Sequence, residues 1–256
     1  SLRFRLIGRI YLFILKYISR KKNILVVTLN FEDKRIVQDF STLRKVLYLK
    51  ESGITEEDIK FGKQSIIEKN KDLEKKTINC GFFGRFLLEK GINDFKEIIE
   101  ISNTHNYQFN FLMGGSSDIY NSSSVSDKTF FNDINNLKIY NDPDYSEFFK
   151  KIDILLFPSY REGYPCFLLR SMAFGVVPII YPNPGMTEDI LDNFNGFIAK
   201  YTHPNAIFSE LIKLNNNRKL LKEISNNARE YALQKFQSQT YRDNKMFQKL
   251  DSFIKE

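Results

Sequence analysis

The chain has 256 residues, is 42% apolar with 24 Phe and 13 Tyr but no Trp, and carries a net charge of +7; this suffices for one large core or two small ones. Only two histidines, His105 and His203, and two distant cysteines, Cys80 and Cys166, exclude a histidine metal cluster or a zinc motif and read as buried, reduced thiols rather than a disulfide. The lysines are spread along the chain with no basic run interleaved with aromatics, so no nucleic-acid partner is expected.

Residues 4–20 read as a helix with a basic side formed by Arg5, Arg9, Lys16 and Arg20. The Leu2 to Ile18 stretch is too charged and too short to cross a bilayer, and no small-residue cleavage site follows it. Two readings stand: a helix lying on an anionic membrane surface, or a packed helix of an amino-terminal domain with solvated cations. The chain opens on Ser1, and is expected to be a fragment with its upstream part missing.

Ile24 to Leu29 is a continuous apolar, β-branched run, as in a buried parallel strand. Residues 32–45 read as a helix and Val46 to Leu49 as a strand, and residues 50–76 as a charged, turn-rich connection holding a domain boundary near residue 75. Strands are expected over 77–83, 108–113, 137–140, 152–157, 177–181 and 196–199. Helices are expected over 91–102, within 126–135, and over 145–151, 166–174, 188–193, 205–214, 217–235 and 240–254. Strand alternating with helix predicts an α/β fold with a doubly wound parallel sheet.

Three motifs carry chemistry. Gly81-Phe-Phe-Gly-Arg-Phe-Leu-Leu-Glu-Lys-Gly91 ends a strand at Gly84, where backbone can approach a ligand, and follows it with Arg85 and Lys90. Two cations beside exposed amides suit a diphosphate, Arg gripping it bidentately and Lys acting as a point charge; on any other loop such a pair is ordinary solvated surface. Asp153-Ile-Leu-Leu-Phe-Pro-Ser-Tyr-Arg-Glu-Gly-Tyr-Pro165 leads from a strand through Ser159, Glu162 and Gly163 into a helix opened by Pro165. That puts a carboxylate at the carboxyl end of a strand, where open α/β sheets bind ligands. Tyr181-Pro-Asn-Pro-Gly-Met-Thr-Glu188 offers the amides of Gly185, Met186 and Thr187 before an expected helix start, a favourable place for an anion; it is also good turn chemistry in any fold. A weaker feature is Leu112-Met-Gly-Gly115, which places Gly114 at a strand end. No glycine-rich dinucleotide fingerprint and no P-loop occurs.

In order and spacing these segments resemble group 1 glycosyltransferases (glycosyltransferase family 4). Arg85 and Lys90 match that family's Gly-Arg-x-x-x-x-Lys-Gly segment, and Pro158-Ser159, Glu162-Gly-Tyr-Pro165 and Leu168 to Gly175 align with its donor-sugar loop without a gap. The resemblance covers roughly residues 77–235. It implies a GT-B type fold with an incomplete, acceptor-side amino-terminal domain over 1–75, a Rossmann-like nucleotide-sugar-binding domain over 76–235, and a last helix over 236–256 returning toward the amino-terminal domain. It implies that Arg85 and Lys90 neutralise the donor diphosphate, that Glu162 meets donor-sugar hydroxyls, and that Gly84, Gly114, Ser159, Gly163, Gly185, Met186 and Thr187 line the donor site.

One position departs from the pattern. The family's second glutamate, which accepts from ribose hydroxyls, falls on Arg170, a donor-only side chain. Arg170 stays among the expected donor-binding residues, since it can donate to hydroxyl oxygens or reach a phosphate; either the donor is held by such another route, or the protein is a weak enzyme or a non-catalytic binder, and a GT-B nucleotide-sugar epimerase is a further alternative. The leading expectation is a retaining transferase moving a sugar from a nucleotide-diphosphate donor to an acceptor glycan or lipid-linked sugar. No cofactor or metal is expected, and the expected setting is cytoplasmic surface-polysaccharide assembly with peripheral membrane contact.

Overall fold

The apolar runs of residues 78–198 assemble into one six-stranded, wholly parallel sheet. The computed structural model describes residues 10, 13–14, 16–17, 26–40, 46–48, 53–71, 77–126, 130–131, 134, 136–183 and 185–255. They form two compact units, residues 1–51 and residues 52–256. In the first, β1 (Val26–Thr28) and β2 (Val46–Tyr48) pair in parallel around the connecting helix α1 (Phe31–Phe40). Most of the expected basic helix over 4–20 lies outside the described residues.

In the second unit, α2 (Glu56–Lys71) precedes β3 (Ile78–Phe83), followed by α3 (Ile92–Thr104), β4 (Phe109–Gly115), β5 (Leu137–Asn141) and α4 (Tyr145–Lys151). Then come β6 (Ile154–Phe157), α5 (Cys166–Ala173), β7 (Val177–Ile180), β8 (Phe197–Ile198), α6 (Pro204–Asn216) and α7 (Arg218–Lys255). The strand order β5-β4-β3-β6-β7-β8 is the doubly wound order, running outward in both directions from β3 and β6.

Strand alternation divides the core between the two faces of the sheet. Ile78, Cys80 and Phe82 of β3 join Phe95, Ile98 and Ile99 of α3 and Ile207 and Leu211 of α6 on one side. Phe83, Leu155 and Phe157 join Phe148 and Phe149 of α4 and Leu168, Leu169 and Met172 of α5 on the other. Both faces are covered, which is why these strands read as unbroken apolar runs.

The carboxyl end of α5 is held by side chains from two other helices. The Ala173 carbonyl accepts from Arg229 Nη1 at 2.5 Å, and the Phe174 carbonyl from Lys69 Nζ at 3.2 Å. Ser225 Oγ donates to the Gly175 carbonyl at 2.5 Å. Lys69 is buried and also donates to the Phe149 carbonyl at 2.7 Å. Cations at a helix carboxyl terminus answer both its unpaired carbonyls and its dipole.

Three expectations are corrected. Residues 50–76 contain helix α2 rather than only turns. The helix is started by a reciprocal cap: Asp58 N donates to Thr55 Oγ1 at 3.2 Å and Thr55 N to Asp58 Oδ2 at 2.8 Å. Residues 188–193 are turn and loop, because Asn195 Oδ1 takes the Leu191 N–H at 2.7 Å and Asp192 Oδ1 the Ile198 N–H at 2.9 Å, side-chain bonds that compete with a helical ladder. The two helices expected over 217–235 and 240–254 are one, α7, since no Gly or Pro separates them. The helix expected within 126–135 falls largely outside the described residues.

At Gly62 α2 passes against α5, so that an added Cβ would stand 2.0 Å from the Ala173 carbonyl oxygen. An alanine in an open helix site stabilises by about 0.8–1.0 kcal/mol relative to glycine. Here the sign reverses: Gly62→Ala is expected to destabilise the fold by about 1–3 kcal/mol through overpacking, read as a lower midpoint in urea unfolding at unchanged slope.

Candidate active site

The chain leaves β3 and β6, neighbours at the sheet's centre, toward opposite sides, opening a crevice beyond their carboxyl ends. Gly84 begins the first exit loop with φ +153° and open space where a side chain would be. Its N–H donates to the Gly114 carbonyl at 3.0 Å, and a Cβ on Gly115 (φ +141°) would collide with the Gly84 carbonyl at 1.9 Å. A short 3-10 turn, Leu88–Lys90, then ends at Gly91 in the left-handed region (φ +76°). A Cβ on Gly91 would stand 2.0 Å from the Pro158 carbonyl, so the two exit loops run in contact; Tyr160 N donates to the Glu89 carbonyl at 3.0 Å across the same seam.

This contact joins the two motifs. Lys90 Nζ lies 2.7 Å from each oxygen of the Glu162 carboxylate, with only 22% and 11% of the two side chains exposed. Ser159 Oγ donates to Glu162 Oε1 at 2.8 Å, and Asn183 Nδ2 to the Ser159 carbonyl at 3.0 Å. Gly185, with φ +77°, passes directly beneath: a Cβ there would meet the Glu162 carbonyl at 2.0 Å and the Gly163 carbonyl at 3.3 Å. The structure thus brings together Lys90, Ser159, Glu162, Gly163 and Gly185. Met186 is buried behind them, its N–H on the Asn183 carbonyl at 3.2 Å, and Thr187 is exposed on the same turn.

Arg85 is exposed and pairs with Asp118 at 3.0 Å. An exposed pair contributes little and is readily exchanged for another anion. The segment after β4 is stitched to this loop by Phe86 N to Ser116 O (2.9 Å), Leu88 N to Ser123 O (3.0 Å) and Val125 N to Phe86 O (2.9 Å). Glu89 accepts from the Ser123 hydroxyl, which, with a smaller contribution from Arg85, holds its carboxyl below the ordinary range. Gly114 has a packing reason to be glycine: the Phe83 and Phe148 rings lie 2.8 Å from where its Cβ would be.

Arg170 has different company. Its Nε donates to the Gly53 carbonyl at 2.5 Å, lies 3.8 Å from Asp58 Oδ2, and its guanidinium stacks 4.8 Å from the Tyr145 ring centroid and 5.7 Å from that of Phe167. These contacts tie α5 to the start of α2 and to α4.

Two buried aspartates that sequence reasoning missed flank the cluster. Asp94, in the first turn of α3, accepts from Tyr160 OH at 2.9 Å and from Tyr181 OH at 2.6 Å. Asp189 accepts from Tyr164 OH at 2.9 Å and Tyr231 OH at 2.8 Å, with Lys235 Nζ at 3.0 Å. Four tyrosines among thirteen carry no signature that pairs them with these acids. The only hint is that Tyr160 and Tyr164 stand two residues either side of Glu162.

Among the described residues, no group of three or more His, Cys, Asp and Glu side chains is placed to hold a metal ion, and no helix is long and apolar enough to cross a membrane. Cys80 and Cys166 form no disulfide; Cys80 is buried as expected while Cys166 is only half-buried, and burial raises the Cys80 thiol well above its ordinary pKa.

Residues 63–231, the sheet with both exit loops, match the family described as glycosyl transferases group 1. The chain belongs to that family. It is 26% identical over 224 residues to the capsular polysaccharide biosynthesis glycosyltransferase CapM of Staphylococcus aureus, covering 85% of this chain and 58% of CapM. It is 27% identical over 172 residues to the N,N'-diacetylbacillosaminyl-diphospho-undecaprenol alpha-1,3-N-acetylgalactosaminyltransferase of Campylobacter jejuni, covering 67% of this chain and 44% of that enzyme. The chain therefore spans about half the length of these curated relatives. Among solved structures, Anabaena Alr3699/HepE in complex with UDP-glucose superposes with a TM-score of 0.67 at 15% identity, covering 91% of this chain and 65% of that one, a likeness of fold alone. The fold class is the expected α/β, GT-B type with a Rossmann-like parallel sheet.

Burial first, and then the Asp94 contact, push the Tyr160 hydroxyl from 10.0 up to about 12. The folded state therefore keeps this proton over a pH range where the unfolded chain has lost it. The contribution to stability is complete below pH 10 and is lost as pH rises toward about 12. Thermal midpoints measured across this alkaline range should fall more steeply for the wild type than for Tyr160→Phe.

Proposed function

We propose that the protein transfers a sugar from a nucleotide-diphosphate donor to an acceptor hydroxyl with retention at the anomeric carbon. The observation that carries this reading is the Lys90–Glu162 pair at the sheet's switch point, a cation and a carboxylate side by side in one crevice with a bare glycine loop beside them. A nucleoside diphosphate needs cations and N–H donors; a sugar needs acceptors for adjacent hydroxyls. Lys90 and the exposed Arg85 serve the diphosphate, and Glu162 with Ser159 serves the sugar. Gly84, Gly163, Gly185, Met186 and Thr187 supply backbone close to the donor.

In the transfer, the bond from the anomeric carbon to the diphosphate oxygen breaks, and its electron pair stays on the phosphate. Lys90 and Arg85 stabilise that charge as it develops. The acceptor oxygen bonds to the same carbon, and its proton passes to the departing phosphate, whose basicity rises as the bond breaks. Held cations perform the role a divalent ion has elsewhere, so no metal is required in this reading.

HepE is described in complex with UDP-glucose, and the Campylobacter relative is named for a diphospho-undecaprenol acceptor. Together with CapM's part in capsule synthesis, these support a uridine-diphosphate sugar as donor and a glycan or lipid-linked sugar as acceptor. The setting is cell-surface polysaccharide assembly on the cytoplasmic side, with peripheral membrane contact. Arg170, bonded to Gly53 and near Asp58, leaves the ribose to be held by other groups.

Turnover of UDP-glucose, UDP-N-acetylglucosamine and UDP-N-acetylgalactosamine, with and without lipid-linked acceptors, tests the reading. Glu162→Ala should lower kcat by roughly a hundredfold or more, since an acceptor for the reacting sugar is lost. Arg85→Ala should weaken UDP binding by about tenfold through loss of a charge-assisted contact. An unchanged rate in the first variant removes Glu162 from the site, and donor interconversion without an acceptor favours an epimerase instead.

A further inference from the structure

The segment between β6 and α5, residues 158–165, has no regular secondary structure, yet it carries Glu162. A loop of this kind ordinarily samples many conformations. Here two tyrosines, each two residues from Glu162, reach in different directions to buried carboxylates. Tyr160 bonds Asp94, and Tyr164 bonds Asp189. Asp94 and Asp189 are only 7% and 4% exposed.

We infer that Tyr160 and Tyr164 are positioning residues that fix the Glu162 loop at two points, and that Asp94 and Asp189 are the anchors. The inference rests on the proposed role of Glu162 toward the donor sugar.

Each anchor is itself held from the scaffold. Asp94 lies in the first turn of α3, where the helix dipole favours an anion, and accepts a second bond from Tyr181 at the end of β7. Asp189 is gripped by Tyr231 and Lys235 of α7. The first tether has a further consequence. Asp94 follows Lys90 by four residues, across the Gly91 turn, so the segment presenting the cation also holds the loop presenting the carboxylate. The second tether couples the loop to the long carboxy-terminal helix. Fixing both ends holds the carboxylate in one place, and displacement of a reacting group by an ångström can cost about a hundredfold in rate.

The arrangement separates loop tethers from scaffold bonds. Tyr160→Phe and Tyr164→Phe each keep the ring and leave the aspartate its scaffold partner, removing only the tether. Tyr181→Phe and Tyr231→Phe remove a hydroxyl from the same aspartates but leave the loop attached. All four variants are made in the full chain and followed by hydrogen exchange of the 159–164 amides without ligand, and by steady-state turnover of whichever UDP-sugar of the panel the wild type uses. The loop variants should exchange about tenfold faster or more over 159–164, and the scaffold variants within about twofold of wild type. The loop variants should lose about tenfold in kcat with donor KM within about threefold, and the scaffold variants should lose less than about threefold. Equal effects in all four variants, or exchange unchanged in Tyr160→Phe and Tyr164→Phe, overturn the inference. A wild type that turns over no UDP-sugar counts against the functional reading, and the exchange measurement then decides the tethers by itself.

Discussion

Everything at this site depends on the close passage of two backbones where the strand order reverses. The chain leaving β3 and the chain leaving β6 touch between Gly91 and the Pro158 carbonyl, at a separation that leaves no room for a side chain. Only that proximity lets Lys90 and Glu162, 72 residues apart in sequence, meet at 2.7 Å. A doubly wound sheet always opens a crevice at this point, because its connections depart to opposite faces. What this chain adds is glycine where the loops cross and a charge of each sign beside the crossing.

The pair has a consequence for binding. Both partners are mostly withdrawn from water and are paired with each other, Glu162 also accepting from Ser159. A buried cation or carboxylate without a partner is costly, so the pair keeps the crevice charge-balanced in the unliganded state. In the proposed reading, a donor diphosphate would compete for Lys90 and sugar hydroxyls would offer Glu162 donors in its place. Arg85 differs: its pair with Asp118 is exposed, so exchanging that carboxylate for a phosphate costs little.

The doubly wound sheet was legible because buried parallel strands are uniformly apolar and are punctuated by glycine, as in Ile78 to Gly84 and Ile154 to Ser159. That Lys90 and Glu162 belong to one site was expected only from the family resemblance, and their direct contact was not read from the sequence, since nothing local to either residue names the other. Helix α2 was missed although Thr55 and Asp58 show the spacing of a capping box and Ile59, Gly62, Ile66 and Lys69 trace one helical face. Its lysine-rich composition masked that stripe, and a buried lysine such as Lys69 reads as solvent-facing until the carbonyls it serves are known. Asp94 and Asp189 were illegible for a related reason: their tyrosine partners come from other loops and helices, and a tyrosine's ring satisfies an apolar pattern without revealing what its hydroxyl meets.

Arg170 shows how a substitution within a motif is absorbed by the fold. A carboxylate at this point on α5 would stand near the Gly53 carbonyl and near Asp58, both electron-rich, whereas a guanidinium is attracted to both and lies against the rings of Tyr145 and Phe167. Gly53 itself has φ +65° and sits so close to Cys166 that an added Cβ would be 2.9 Å from its side chain. The segment leading into α2 is therefore fitted to the arginine, by backbone conformation, a hydrogen bond and charge together. Exchanging Arg170 for an acid would leave the Gly53 carbonyl without this donor and set a second carboxylate beside Asp58, which is 1% exposed. The identity of residue 170 is thus coupled to residues 53–58, and a change at one without the other would cost stability.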